Sequence, residues 1–444
     1  MADGAEDHLP DDGAHREPLR IPGFRRYWVA DAVAAAGLAV TPVVVDVLLV
    51  DVLEASELQV GIVRAAQLLP YVLVGLLAGA YVDRWRRRRT LVTTYAAEGL
   101  LLLLVPLLHL TGLLTVPSLA LVLLTAGVSA VFTAAAEQSY LPDLVPRRLL
   151  VPANARIGQA DTVAQTSGPA LGGALAGWLG APFALVLSSL SRLVAAVLVL
   201  RVQHTEPVPL RRARPGLWAE VREGLRFVYR HRTLAWLGLS THMWFVGNAM
   251  ALTAFAVFAL RTVDLSPAAY GTALALAGVG GFAGAVVAAP AGRRLGEGDT
   301  VILGRGLCAV AWLAIALAPG DTVPGTLTAI CAGQVVYGFS LGLENPSEMG
   351  YRQAVTPRAL LGRVNAIMRS VNRSAAVLGA LARGVLAGAI GHRATLAAAV
   401  VVFGAALVVA LAFGHRATLA AAVVVFGAAL VVALASPLRG SRAT

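Results

Sequence analysis

The sequence predicts an all-α membrane protein built as two six-helix bundles. Three observations carry that prediction. Hydrophobic residues make up 57% of the 444-residue chain and charged residues only 14%, with a mean hydropathy of +0.73, whereas a soluble chain carries about a quarter charged residues. The apolar residues come in runs of about 20, the length at which a helix crosses a bilayer. Lipid offers the backbone no hydrogen-bonding partner, so such runs fold as helices. Finally, a ten-residue pattern occurs twice, 211 positions apart, as Pro146–Ala155 (PRRLLVPANA) and Pro357–Ala366 (PRALLGRVNA). The register continues beyond it, with Gly168, Gly173, Gly177 and Gly180 opposite Gly379, Gly384, Gly388 and Gly391. A period of that length suits two duplicated bundles rather than a solenoid.

In chain order, residues 1–23 are acidic, rich in Pro and Gly and without an apolar run. They read as a disordered cytoplasmic tail, not a signal peptide. An N-terminal bundle follows over 24–202, with spans at roughly 27–53, 58–82, 90–110, 116–136, 157–179 and 183–202. Residues 203–232 form a connector. Within it Leu217, Trp218, Val221, Leu225 and Val228 recur at helical spacing, while Arg222, Glu223, Arg226 and Arg230 take other faces. That pattern predicts an amphipathic helix on the membrane surface. The C-terminal bundle covers 233–412, with spans at roughly 234–259, 269–290, 301–318, 324–344, 367–390 and 395–412. Six spans separate the two pattern copies, so both lie on one side, as a parallel repeat requires. Residues 413–444 hold a duplicated helix and tail, because Gly391–Ala412 recurs unchanged as Gly414–Ala435. The first copy is expected to pack as the twelfth helix and the second to lie peripherally.

All 36 basic residues are arginine, and the net charge is +11. Placement shows what that charge does. Twenty-seven arginines lie at the N-terminal end up to Arg26 and in polar stretches at 84–89, 147–156, 201–232, 293–305 and 352–369, while the loops on the other side hold Arg261 and Arg393. This asymmetry is the positive-inside rule; it puts the arginine-rich side and the N-terminus in the cytoplasm of a cell-membrane protein and argues against nucleic-acid binding. Cys308 and Cys331 lie inside apolar runs and read as small buried hydrophobes. No Walker sequence, metal-ligand spacing or nucleophile–base set stands out. No cofactor, metal or enzymatic activity is expected, and the chain is expected to act as a monomer.

Two motifs carry more. After the second span comes Gly79-Ala-Tyr-Val-Asp83-Arg84-Trp-Arg86-Arg87-Arg88-Arg89. Asp83 ends a span where a neighbouring helix N-terminus favours negative charge. The arginines can anchor on headgroups or pair with Glu137 and Asp143 at the end of the fourth span. The fifth span carries Ser167-Gly168-Pro169-Ala-Leu-Gly172-Gly173, where glycines allow close helix approach and Pro169 bends the helix. The first motif resembles the signature loop of the major facilitator superfamily, with Arg86 where the family usually has Gly. The second resembles the Gly-Pro motif of the antiporter branch, with Ala164 in place of a family Gly. Phe24-Arg-Arg-Tyr-Trp28, Gln67-Leu-Leu-Pro70, Gln138-Ser-Tyr-Leu-Pro142 and Gly362-Arg-Val-Asn365-Ala366 look like the drug and siderophore exporter branch, which includes enterobactin-type exporters and macrolide efflux proteins. The resemblance implies the twelve-helix major facilitator fold, a central cavity alternately open to each side, and proton-driven export.

Charges inside spans are costly and are functional candidates by default. Counting rise along each helix puts Asp46, Arg64 and Arg383 at similar depth in the outer half. One reading is a cluster near the cavity, with Asp46 carrying the proton and an arginine holding it ionised until substrate or motion separates them. The other is a static Asp46–Arg64 pair with Arg383 snorkelling outward. Glu98 and Arg192 match in depth nearer the cytoplasm and read as a structural pair. Asp161 is placed to face the cytoplasmic mouth. His242 is open to a proton-relay or a packing role, and it lies with Trp244 and Asn248 on a helix that lines the cavity in the family. Arg373 is expected to pair with Glu344 or Glu348. Two arginines near the cavity favour anionic or polar cargo. The expected function is proton-coupled export of a small molecule. The alternatives are a lysophospholipid flippase or an importer, and then a non-transporting receptor or scaffold on the same fold.

Overall fold

The computed structural model describes residues 17–82, 85–204, 217–318, 323–357 and 360–413. The reading of residues 1–16 as a tail, the signature residues Asp83 and Arg84, and the second copy of the C-terminal repeat lie outside the described residues. Among the described residues the chain is helical throughout, without a strand. The N-terminal half contains α1 (Pro22–Val47), α2 (Glu57–Leu73), α3 (Gly75–Val82), α4 (Arg87–Leu110), α5 (Val116–Leu144), α6 (Leu150–Leu179) and α7 (Ala181–Leu200). After α8 (Leu217–Arg230) come α9 (Arg232–Val257), α10 (Pro267–Leu295), α11 (Glu297–Ala316), α12 (Val323–Val355), α13 (Leu361–Ile390) and α14 (His392–Phe413).

Ten of these are long and apolar enough to cross a membrane. Two more predicted spans are helical but fall outside that set for physical reasons. The second span is interrupted at Val74 into α2 and α3, of 17 and 8 residues, each shorter than the roughly 20 residues a crossing helix needs. The fifth, α6, reaches 30 residues but is diluted by Arg156, Asp161 and a run of polar residues. Starts are capped as the sequence dictates. Ser56 and Gln59 form a capping box on α2, Thr115 and Ser118 form one on α5, and Ser266 caps α10.

The duplication shows in local detail. Leu149 N–H bonds Pro146 O at 2.9 Å, and Leu360 N–H bonds Pro357 O at 2.8 Å. One turn therefore opens α6 and α13 alike. A π-turn ends the first helix of each half, at Leu48–Val52 and Phe258–Thr262. Gly180 and Gly391, opposite each other in the repeat, both adopt positive φ, at 84° and 81°. Glycine tolerates that region without a Cβ clash, which is why both helix ends carry it.

Packing follows the same symmetry. α1 lies on α6 and α7 as α9 lies on α13 and α14; α4 lies on α5 and α7 as α11 lies on α12 and α14. The halves meet along two seams, α2 on α13 and α6 on α10. At the end away from the arginines one apolar core runs through both halves, from Val43 and Val60 to Phe255 and Trp312. At the arginine-rich end the cores are separate, one around Tyr27, Tyr95 and Tyr140 and another around Val228, Val301 and Met368. The halves are thus sealed at one end and hold separate cores at the other.

Candidate functional site

A cavity of about 540 Å³ lies between the halves, lined by α1, α2, α6, α9, α10, α12 and α13. Its charged centre is Asp46, only 3% exposed. Asp46 Oδ1 is ion-paired to Arg64 on α2, and Tyr270 on α10 donates its hydroxyl to Asp46 Oδ2 at 2.8 Å. Arg64 also donates to Gln67 Oε1 at 3.0 Å. Both carboxylate oxygens are therefore occupied, one from each half of the molecule. Across the cavity Tyr337 donates to Asn248 Oδ1 at 2.6 Å.

The structure brings Asp46 and Arg64 together and separates Arg383 from them. Arg383 is fully buried, with Nη2 2.5 Å from Glu57 Oε2 and Nη1 donating to the Glu57 carbonyl at 3.1 Å. It neither joins the Asp46 pair nor snorkels outward. The reason is rotation about the helix axis: α13 presents Gly384 and Ala380 to α2 at Leu58 and Gly61, which carries the intervening Arg383 toward Glu57. Arg64 is thus paired with Asp46 and Arg383 with Glu57, while a third arginine, Arg373, also lines this cavity.

Glu98 and Arg192 meet as expected from their depth. Arg192 Nε lies 3.1 Å from Glu98 Oε2, and Thr133 donates to Oε1 at 2.5 Å. Asp161 is exposed along a cavity in the N-terminal half. His242 is held on both ring nitrogens, Nδ1 2.6 Å from Asn372 Oδ1 and Nε2 2.8 Å from Tyr229 Oη. Asn372 Oδ1 only accepts, so Nδ1 carries the proton and Nε2 accepts from the tyrosine. His242 thus ties α8 and α13 to α9 and does not line the central cavity. Asn248 does line it, whereas Trp244 packs toward Phe403 of α14.

Three pairings differ from expectation. Arg373 stacks over the Tyr71 ring at 5.0 Å instead of meeting Glu344 or Glu348. Those carboxylates belong to Arg305, which lies 3.8 Å from Glu344 and 3.4 Å from Glu348 and also binds Thr241 at 2.8 Å. By sequence Arg305 groups with the surface arginines, but it is 1% exposed, because these acids on α12 face it across the bundle. Of the two acids offered to the basic loop, Asp143 pairs with Arg87. Glu137 accepts from Tyr95 at 2.6 Å instead, while Arg88 caps the carbonyls of Val199 and Leu200. Gly79 lies within α3.

The Gly-Pro motif splits between two neighbours. Gly168 and Gly172 abut α1 at Ala39 and Val40, and Gly173 abuts α10. A Cβ on Gly173 would sit 3.0 Å from Gly271 Cα, so backbone meets backbone across the seam. Sequence reasoning missed Asp31, Glu57, Tyr270 and Arg305. Asp31 and Glu57 sit within about a turn or so of predicted span ends and pass as interfacial; Tyr270 gives no charge signal.

Over residues 14–435 the chain matches the family described as transmembrane secretion effector. It is 29% identical over 353 residues to the multidrug efflux pump Tap of Mycolicibacterium fortuitum, covering 77% of this chain and 84% of that one. It is 30% identical over 400 residues to the Tap pump of Mycobacterium tuberculosis, covering 86% and 91%. Among solved structures, the nucleoside transporter NupG superposes with a TM-score of 0.71 at 13% identity, covering 89% of this chain and 98% of that one. Family, relatives and fold agree on a multi-pass membrane transporter: the chain belongs to the transmembrane secretion effector family of the major facilitator superfamily.

Proposed function

We propose that this transporter exports a small molecule from the cytoplasm in exchange for protons, with its arginine-rich end and N-terminus on the cytoplasmic side. The observation that carries the reading is Asp46, a buried cavity carboxylate held by Arg64 from its own half and Tyr270 from the other. Protonating Asp46 removes the charge that holds Arg64 and weakens the acceptor for Tyr270. One proton then loosens a tie between the halves, which is what coupling requires. Export by relatives bearing the name multidrug efflux pump supports the direction. A proton crossing 100 mV releases about 2.3 kcal/mol, enough to drive a cargo gradient of roughly fifty-fold.

The test is uptake into inverted membrane vesicles, using a panel of antibiotics and siderophores, with and without a collapsed pH gradient. Wild-type protein should accumulate at least one compound only while the gradient stands, and Asp46→Asn should lose that dependence. Full gradient-driven transport by Asp46→Asn would overturn the assignment of Asp46.

A further inference from the structure

A second cavity, about 550 Å³, lies within the N-terminal half toward the arginine-rich end and shares Gln165 with the central one. Its volume suits a drug-sized molecule. Asp31, Glu98, Glu137 and Asp161 line it, against Arg192 as the one cation among its lining residues. Arg192 is already committed to Glu98 at 3.1 Å. Glu137 receives the Tyr95 hydroxyl at 2.6 Å and has no ion pair of its own among the described residues.

Asp31 stands apart. It is 8% exposed, it lines the cavity, and its Oδ2 is sealed from solvent without a hydrogen-bond partner. A buried carboxylate without a partner is expensive. Either a proton or a cation entering the cavity can neutralise it.

The chemistry of the walls narrows what that is. No three carboxylate, histidine or cysteine groups among the described residues gather closely enough to hold a metal ion. A hard divalent cation needs several oxygen ligands in one tight shell, and these acids are dispersed instead. Between them the lining is largely apolar, with Leu38, Leu141 and Ile157, and it includes the ring of Tyr27. Aromatic faces attract cations, and apolar walls take a hydrophobic body.

We infer that this cavity binds a lipophilic monovalent organic cation, with Asp31 as its principal counter-charge and Glu137 and Asp161 adding to the field. The inference deepens the exporter reading by naming a cargo class and rests on that reading for its biological sense. Binding itself needs no gradient.

The experiment is equilibrium binding of radiolabelled tetraphenylphosphonium to the full-length protein in lipid nanodiscs, at one fixed pH. The probe carries a permanent charge, so its own protonation does not enter. Wild-type protein should bind saturably. Asp31→Asn should weaken binding at least tenfold, about 1.4 kcal/mol, whereas Asp31→Glu, which keeps the charge, should stay within about threefold. The double variant Glu137→Gln/Asp161→Asn should weaken binding by less than Asp31→Asn. Absence of saturable binding by wild-type protein would overturn the inference. So would Asp31→Asn binding as tightly as wild type, or Asn and Glu losing equally, which would make Asp31 purely structural. If binding follows the charge at residue 31 while gradient-driven transport of every compound fails, the exporter reading falls and the cation site stands. If transport holds but tetraphenylphosphonium ignores residue 31, the cation site falls alone.

Discussion

Glu57→Gln should open the sealed end of this transporter. Glu57 occupies the first turn of α2 and holds three side chains of the opposite half. Arg383 lies 2.5 Å from it, His392 3.5 Å and Arg261 3.7 Å, and Arg261 also donates to the Val50 carbonyl at 3.3 Å. Breaking a fully buried ion pair costs about 3–5 kcal/mol and an exposed one less than about 1. Arg383 is wholly buried but Glu57 is 20% exposed. Arg383 and Glu57 meet at ion-pair distance without hydrogen-bond alignment of Nη2, and Arg383 keeps its bond to the Glu57 carbonyl in the variant. Those facts bring the expected loss to about 2 kcal/mol, roughly thirty-fold in the closed-to-open ratio at this end. The assay is electron–electron distance measurement between spin labels at Trp178→Cys and Ala268→Cys, with Cys308 and Cys331 replaced by Ala. Trp178 is 84% exposed, and the labelled pair reports on the α6–α10 seam, away from the mutated one. The ratio of long to short distances should rise about thirty-fold in Glu57→Gln. An unchanged distribution in a normally folded variant would show that this hub does not hold the end closed.

Two further outcomes follow from buried contacts. Glu98→Gln strands Arg192, which is 5% exposed, and should lower thermal stability by about 3 kcal/mol; Glu98→Gln/Arg192→Met should recover most of it. A double variant as unstable as the sum of both singles, in unfolding of the detergent-purified protein, would contradict the pairing. Gly173→Ala should cut vesicle transport at least tenfold with normal expression, since the new Cβ meets α10 backbone 3.0 Å away at Gly271. Gly177→Ala, whose nearest neighbour lies 3.9 Å away at Pro267, should transport normally; equal activity of the two would remove the seam from the mechanism.

Depth in the bilayer is legible residue by residue. Counting helical rise from the nearest surface matches Glu98 with Arg192, and they do meet. The same count matches Asp46 with Arg64. Counting fails for Arg383, whose depth fits Asp46 but whose side of α13 faces Glu57. It fails again for Arg373, which finds Tyr71, and for Arg305, which lies deeper than its place beside a basic loop suggests. Tyr270, which completes the Asp46 site, carries no charge for such counting to catch. Asp31 and Glu57 are hidden by the opposite error, since each lies close enough to a span end to be read as wetted.

Two sources of information separate cleanly in this protein. Run length, arginine asymmetry and the 211-residue period are linear properties, and the bilayer acts on each helix in turn. They are therefore sufficient for the helices, their order and the doubling into two halves. Which carboxylate meets which arginine depends on the rotation of each helix about its axis and on the α2–α13 and α6–α10 seams. Those are set jointly by glycine contacts between segments far apart in the chain, so only the assembled structure could assign Arg383 to Glu57 and Tyr270 to Asp46.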